Sequence, residues 1–176
     1  MKTVLFILAV LALSSCAILR RNQPVADKGV EINGIRWATR NVGGTPQTFA
    51  PKPENAGGHF TWDEAQEACP EGWRLPTHEE ISSLADARVT WMRMNDVGGW
   101  TFGLGANQFF LPASGFGNSL TDTDTLAGTG ESGLYWSSTP NGIVVRYLFF
   151  ARDVVTANFS LVPESRMSVR CVVASP

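Results

Sequence analysis

The chain has 176 residues, enough for one ordinary domain with a sizeable core. A formal net charge of −2 and a charged fraction of 17% exclude the basic footprint that nucleic-acid binding needs. Seventeen glycines, ten prolines and six tryptophans among so few charges predict a loop-rich domain with an aromatic core, not a helical bundle.

Met1-Lys2 opens a segment whose apolar run, Val4 to Leu13, is too short for a membrane span and reads as a signal peptide. The run ends Leu13-Ser14-Ser15-Cys16, which resembles the lipobox of bacterial lipoproteins. There, cleavage before the cysteine frees its amino group and the thiol takes a diacylglycerol. An ordinary secretory signal with an incidental cysteine is the alternative. Several acyl chains on Cys16 would hold the protein stably on a membrane where one would not. Residues 1–15 are then the signal peptide, and 16–28 a lipidated cysteine with a flexible, aperiodic tether. Ala17, not Asp, follows the cysteine, so the resemblance implies sorting to the outer membrane, on its periplasmic or its surface side.

The folded domain is expected over residues 29–176. Val30-Glu31-Ile32 and Ile35-Arg36-Trp37 flank Asn33-Gly34, a hairpin signal because both turn residues tolerate positive φ. Asn41 to Gly58 is rich in Gly and Pro and predicts a long loop. Thr61-Trp62-Asp63-Glu64 and Thr77-His78-Glu79-Glu80 are two capping boxes, each opening a short helix. Trp62, Ala65 and Cys69 share one face of the first helix, and Ile81, Leu84 and Ala85 stripe the second. Between them Trp73 and Leu75 are expected to plug the core from a rigid connector. Thr90 to Gly105 reads as a compact aromatic loop, and Gln108 to Pro112 as a short strand. Ser114 to Gly133 is a polar excursion in which Asp122 and Asp124 read as a solvated turn, since nothing nearby completes a hard-ion ligand set, with a share in binding calcium as the alternative.

Ile143 to Phe150 is β-branched and aromatic and reads as a strand. Downstream, Met167, Val169, Cys171 and Val173 alternate with Ser168, Arg170 and Val172. With Cys16 taken by lipid, Cys69 and Cys171 remain in an oxidising compartment. A bond between them would close a loop of about a hundred residues, worth up to about 4 to 5 kcal/mol. Two buried free thiols are the alternative.

Five motifs now stand together: Trp37-Ala38-Thr39-Arg40-Asn41, Cys69 to Pro76, Leu111-Pro112-Ala113-Ser114-Gly115, Tyr135-Trp136-Ser137-Ser138-Thr139 and Ser168-Val169-Arg170-Cys171-Val172. In combination they resemble the FISUMP, or "major paralogous", domain of bacterial surface lipoproteins. The resemblance covers nearly all of Gly29 to Val173. It implies an α+β, C-type-lectin-like fold: two short helices, a small mixed and mainly antiparallel sheet, long loops, and a disulfide from the first helix to the last strand. It brings no calcium site, because the Glu-Pro-Asn and Trp-Asn-Asp motifs of calcium-dependent lectins have only Pro163-Glu164 and Met94-Asn95-Asp96 as partial echoes. The related formylglycine-generating enzymes use a cysteine pair near the C-terminus, where this chain has Cys171 alone.

Other chemistry is thin. His59 and His78 are the two histidines and lack convergent partners for zinc or acid–base work. Ser137 and Ser138 lack the glycine pattern of a nucleophile elbow. No cofactor, no metal and no enzymatic activity are expected.

Some FISUMP-like proteins are targets of diversity-generating retroelements, which randomise adenines in Asn codons. Such changes cannot yield Lys, Gln, Glu, Met or Trp, and none of these five occurs from Asn141 through Pro163. The preference of strands for Val, Ile and Phe explains the same composition. Ile143, Val144, Val145, Arg146, Phe149, Ala151, Arg152, Asp153, Val155, Asn158 and Phe159 are the resulting candidate ligand contacts. Ile143-Val144-Val145 and Tyr147-Leu148-Phe149-Phe150 are apolar on both faces, which suggests an exposed patch for a protein or glycan ligand or, alternatively, a strand covered on both sides. The expected role is a lipid-anchored envelope binding module. The alternatives are a structural or assembly subunit and an enzyme of unassigned chemistry.

Overall fold

The computed structural model describes residues 26–87, 89–117 and 125–174. The predicted signal peptide, Cys16 and the Asp122/Asp124 pair lie outside them. Within the described residues the elements run β1 (Val30–Ile32), β2 (Ile35–Trp37), α1 (Trp62–Gln66), β3 (Trp73–Arg74), α2 (His78–Ala85), β4 (Val89–Met94) and β5 (Val97–Leu104). They continue with β6 (Asn107–Pro112), β7 (Ser132–Asn141), β8 (Val144–Ala151), β9 (Val154–Leu161) and β10 (Val172–Val173). The class is α+β, but the strands form three small sheets rather than one: β1-β2-β10-β3, β4-β5-β6 and β7-β8-β9. The ladders are antiparallel. Parallel pairing occurs only as the isolated bridges Gly115↔Gly133 and Tyr135↔Ser168 among the described residues.

Local chemistry explains the elements. Asn33 and Gly34 turn the first hairpin with φ of 52° and 77°. Both capping boxes close: Thr61 Oγ1 accepts from Glu64 N–H and Glu64 returns to Thr61 N–H, and Thr77 and Glu80 do the same. Each capping glutamate also holds an arginine, Arg166 and Arg74 respectively.

Thr90 to Gly105 is not a loop. It is most of the β4–β5 hairpin, turned by Asn95 and Asp96 at φ 47° and 66°. Its glycines lie within the strand because there is no room for a side chain. A Cβ on Gly99 would stand 2.4 Å from the Leu111 carbonyl oxygen. A second departure is Asp27, assigned from sequence to the tether. Its buried carboxylate accepts from the backbone N–H groups of Gly29, Thr39 and Arg40, so the fold reaches upstream of Gly29.

Two cores occupy opposite faces of the β7-β8-β9 sheet. Leu134, Trp136, Val145 and Tyr147 join Ala65, Cys69, Met167 and Cys171 on one face. Tyr135, Leu148 and Phe150 join Ile81 and Leu84 of α2, Trp37 and Phe102 on the other. β8 is therefore the covered central strand of its sheet, not an exposed apolar patch. Cys69 and Cys171 are bonded, with Cα atoms 6.0 Å apart at a sequence separation of 102. The closing segment divides as its alternation predicts, Met167, Val169 and Cys171 entering the first core. Its other side is also buried, with Ser168 and Arg170 in a polar network and Val172 in the second core.

Candidate functional site: the outer face of the last hairpin

The motif residues are framework. Arg170, 2% exposed, donates from Nε and Nη2 to Asn41 Oδ1 at 2.9 and 2.7 Å, and to the Ala38 and Phe110 carbonyls at 2.9 and 3.1 Å. Its guanidinium also lies 5.1 Å from the Phe109 ring centroid. Burial pulls Arg170 down to about 10, so it stays charged at neutral pH among neutral acceptors. Beside it Tyr135 Oη donates to the Pro112 carbonyl and accepts from Asn41 Nδ2. Burial raises the Tyr135 phenol.

Ser137 and Ser138 are held in place by a break in the β7 register between Trp136 and Pro140. Ser137 Oγ donates to the Arg146 carbonyl, Ser138 N–H donates to Pro76 O, and Thr139 Oγ1 accepts from His78 N–H. This bulge seats the start of α2. His59 is half-buried against the Ser114 carbonyl, and burial lowers its pKa despite that contact. His78 is also half-buried, and its Nδ1 has no hydrogen-bond partner among the described residues. Among the described residues no three His, Cys, Asp or Glu side chains converge to hold a metal ion.

The eleven candidate contacts do not form one site. Val145 is 2% exposed and belongs to the core, because its strand is central. Val155 packs against the second core. Ile143, 93% exposed, tips the β7–β8 turn with Val144 beside it. Arg152 and Asp153 form the β8–β9 turn at the other end. The eight residues of β8 put about 23 Å between those ends, at ~3.3 Å per residue. Arg146 is half-buried opposite Ser160, and Asn158 is exposed where the β8–β9 register shifts.

What the hairpin does assemble is an apolar rim to the first core, buried at Tyr147, partly buried at Phe149 and exposed at Val154 and Phe159. Opposed pairs share a face, and Ala151↔Val154, Phe149↔Thr156 and Tyr147↔Phe159 are opposed. Aromatic rings step outward across that face. Trp136 meets Tyr147 at 6.4 Å, Tyr147 meets Phe159 at 6.3 Å, and Phe159 meets Phe149 at 5.6 Å. The row begins at fully buried Trp136, reaches its most exposed ring at Phe159, 48% exposed, and turns back to half-buried Phe149, while Val154 is 42% exposed. Phe149, Ala151 and Phe159 are thus neighbours, with Phe149 packed partly buried against the first core, and Val154 and Thr156 join them. Alternation along β9 could have found them, had its pairing register been known.

Two depressions lie elsewhere. One, about 260 Å³, sits on the far side of the β4-β5-β6 sheet beside Met92, Met94 and Phe110. The other, about 210 Å³, lies between the β4–β5 hairpin and the β8–β9 turn and is lined by Trp91, Arg93, Gly130, Glu131 and Arg152. No family model, curated protein or solved structure matches the chain.

Proposed function

We propose that this is a lipid-anchored protein of the bacterial envelope, a FISUMP-type module of C-type-lectin-like fold with no enzymatic role. Its last hairpin presents the exposed side chains of Phe159 and Val154, at the rim of the first core, to a protein partner. The observation that carries this reading is the placement of exposed apolar side chains. Of the six large ones among the described residues, Met92, Leu104, Ile143, Val154, Phe159 and Val162, the last four lie within twenty residues of each other in sequence. Exposed apolar surface on an otherwise well-packed domain is a mark of association. The face is mounted on a disulfide-closed frame, so binding it would require little ordering of backbone.

The fold-family assignment is supported by the pairing of β2 with β10, which brings the two ends of the domain together, and by a sulfur link from Cys69, three residues past the first helix and not on it as the sequence suggests, to Cys171, just before the last strand. Anchoring at Cys16 of the outer membrane rests on the lipobox-like tetrad. Retroelement diversification, if it acts, is confined to exposed positions such as Arg152, Asp153, Asn158 and Phe159, since Val145, Phe150 and Ala157 are core. An assembly subunit is the second reading, favoured by β9, which pairs only with β8 among the described strands and offers an open edge. Substituting Phe159 and comparing captured envelope partners tests the proposal. A partner retained through an unchanged contact area would reject it.

A further inference from the structure

We propose a second binding site, for the carboxylate-bearing ring of an acidic glycan, in the groove between the β4–β5 hairpin and the β8–β9 turn. It stands apart from the protein-binding face and does not depend on it.

The groove is built from fixed parts. Trp91 packs edge-on against Trp100, ring centroids 6.1 Å apart. Trp100 Nε1 donates to the Ala151 carbonyl at 2.7 Å, which ties the hairpin bearing Trp91 to the turn bearing Arg152. The far wall is the turn at Gly128–Glu131, held by Gly130 N–H to Ala113 O at 2.7 Å and Glu131 N–H to Gly128 O at 3.0 Å. Gly98 lets these walls close together. A Cβ there would stand 2.8 Å from the Gly130 carbonyl oxygen and 3.1 Å from the Trp91 ring.

The lining specifies the ligand's chemistry. Arg152 is an exposed guanidinium suited to paired hydrogen bonds with a carboxylate, and exposed Arg93, whose Nη2 donates to the Asp96 carbonyl at 2.5 Å, adds positive charge beside it. Arg152 makes no side-chain hydrogen bond or ion pair with another described residue. Glu131 across the groove is an acceptor, so the ligand must bring donors as well as negative charge. A phosphate dianion would meet Glu131 as a like charge, whereas a uronic acid offers one carboxylate and several hydroxyls. Trp91, half-buried, supplies an apolar surface for the C–H face of a sugar ring. A volume of about 210 Å³ suits one ring, being smaller than the sites of drug-sized ligands.

The test is titration of the full chain, extracted in detergent, with galacturonic acid, galactose and acetate, read by tryptophan fluorescence and calorimetry. Galacturonic acid is expected to saturate with Kd of about 1 mM or tighter, with galactose and acetate at least tenfold weaker. Arg152→Gln should weaken galacturonic acid about tenfold and leave galactose unchanged. The variant should keep its fold, because Arg152 is exposed in a turn. Three results overturn the site: galactose or acetate binding as tightly as galacturonic acid, Arg152→Gln binding it like the parent, or no saturation by galacturonic acid below about 50 mM.

Discussion

Arg170 and Asn41 are joined by two hydrogen bonds to a single oxygen, Nε and Nη2 of the arginine both donating to Asn41 Oδ1. The pair fastens the closing segment to the loop after β2, and the Phe110 carbonyl adds β6 to the same clamp. A lysine carries three donors on one nitrogen and cannot reproduce the planar fork. Arg170→Lys should therefore lose about 3 kcal/mol of unfolding free energy, measured by denaturant titration. A loss under about 0.5 kcal/mol would mean the clamp contributes little.

The Cys69–Cys171 bond constrains the unfolded chain over 102 residues. Reduction, or the paired Cys69→Ala and Cys171→Ala change, should lower unfolding free energy by up to about 4 to 5 kcal/mol. Intact-mass measurement gives the parallel check. Alkylation of these thiols before any reductant is added would contradict the bond.

Acid should act in two steps. Burial depresses the His59 pKa, so the unfolded chain binds that proton more readily than the folded one. Stability is then complete above about pH 6.5 and falls as pH drops toward the lower folded value. Glu80 contributes a second step. Burial opposes its charge, but the Arg74 guanidinium and the Thr77 backbone outweigh this and hold it below its ordinary value of 4.5. Its contribution is present above that value and is lost as pH falls through the depressed one. Denaturant titrations at pH 7.5, 5.5 and 3.5 should show both declines, and His59→Gln should remove the first. A flat profile from 7.5 to 5.5 would contradict the assignment to His59.

The coding DNA offers a check on diversification. If templated adenine mutagenesis shaped the hairpin, codons for Arg152, Asp153, Asn158 and Phe159 should end in C, with an Asn-rich near-copy of the segment close by. Mixed third bases and no near-copy would leave strand propensity as the whole explanation.

Local signals were legible where they were self-contained. Two capping boxes and Asn33-Gly34 each declare their structure within four residues, and the terminal alternation placed Cys171 with the apolar set. Asn95-Asp96 was passed over because it lacks the glycine that usually marks such a turn. Asp27 was misread because its partners, Thr39 and Arg40, are a dozen residues away. The apolar run in β8 carried two meanings, and only its sheet neighbours settle that the strand is covered. The groove draws Trp91, Glu131 and Arg152 from three separate segments, a convergence with no local signature.

Phe159 gives the most direct test of the account. Its side chain is 48% exposed and touches the first core only through the rings of Tyr147 and Phe149, so Phe159→Asp should remove the binding face at little cost to either core. The full-length parent and variant, each expressed in its own envelope and cross-linked there, should differ in one respect. The parent captures a protein that the variant loses, and their melting temperatures agree within about 3 °C. An unchanged set of cross-linked partners, or a melting temperature lowered by about 8 °C or more, would show that Phe159 serves the interior and not a partner.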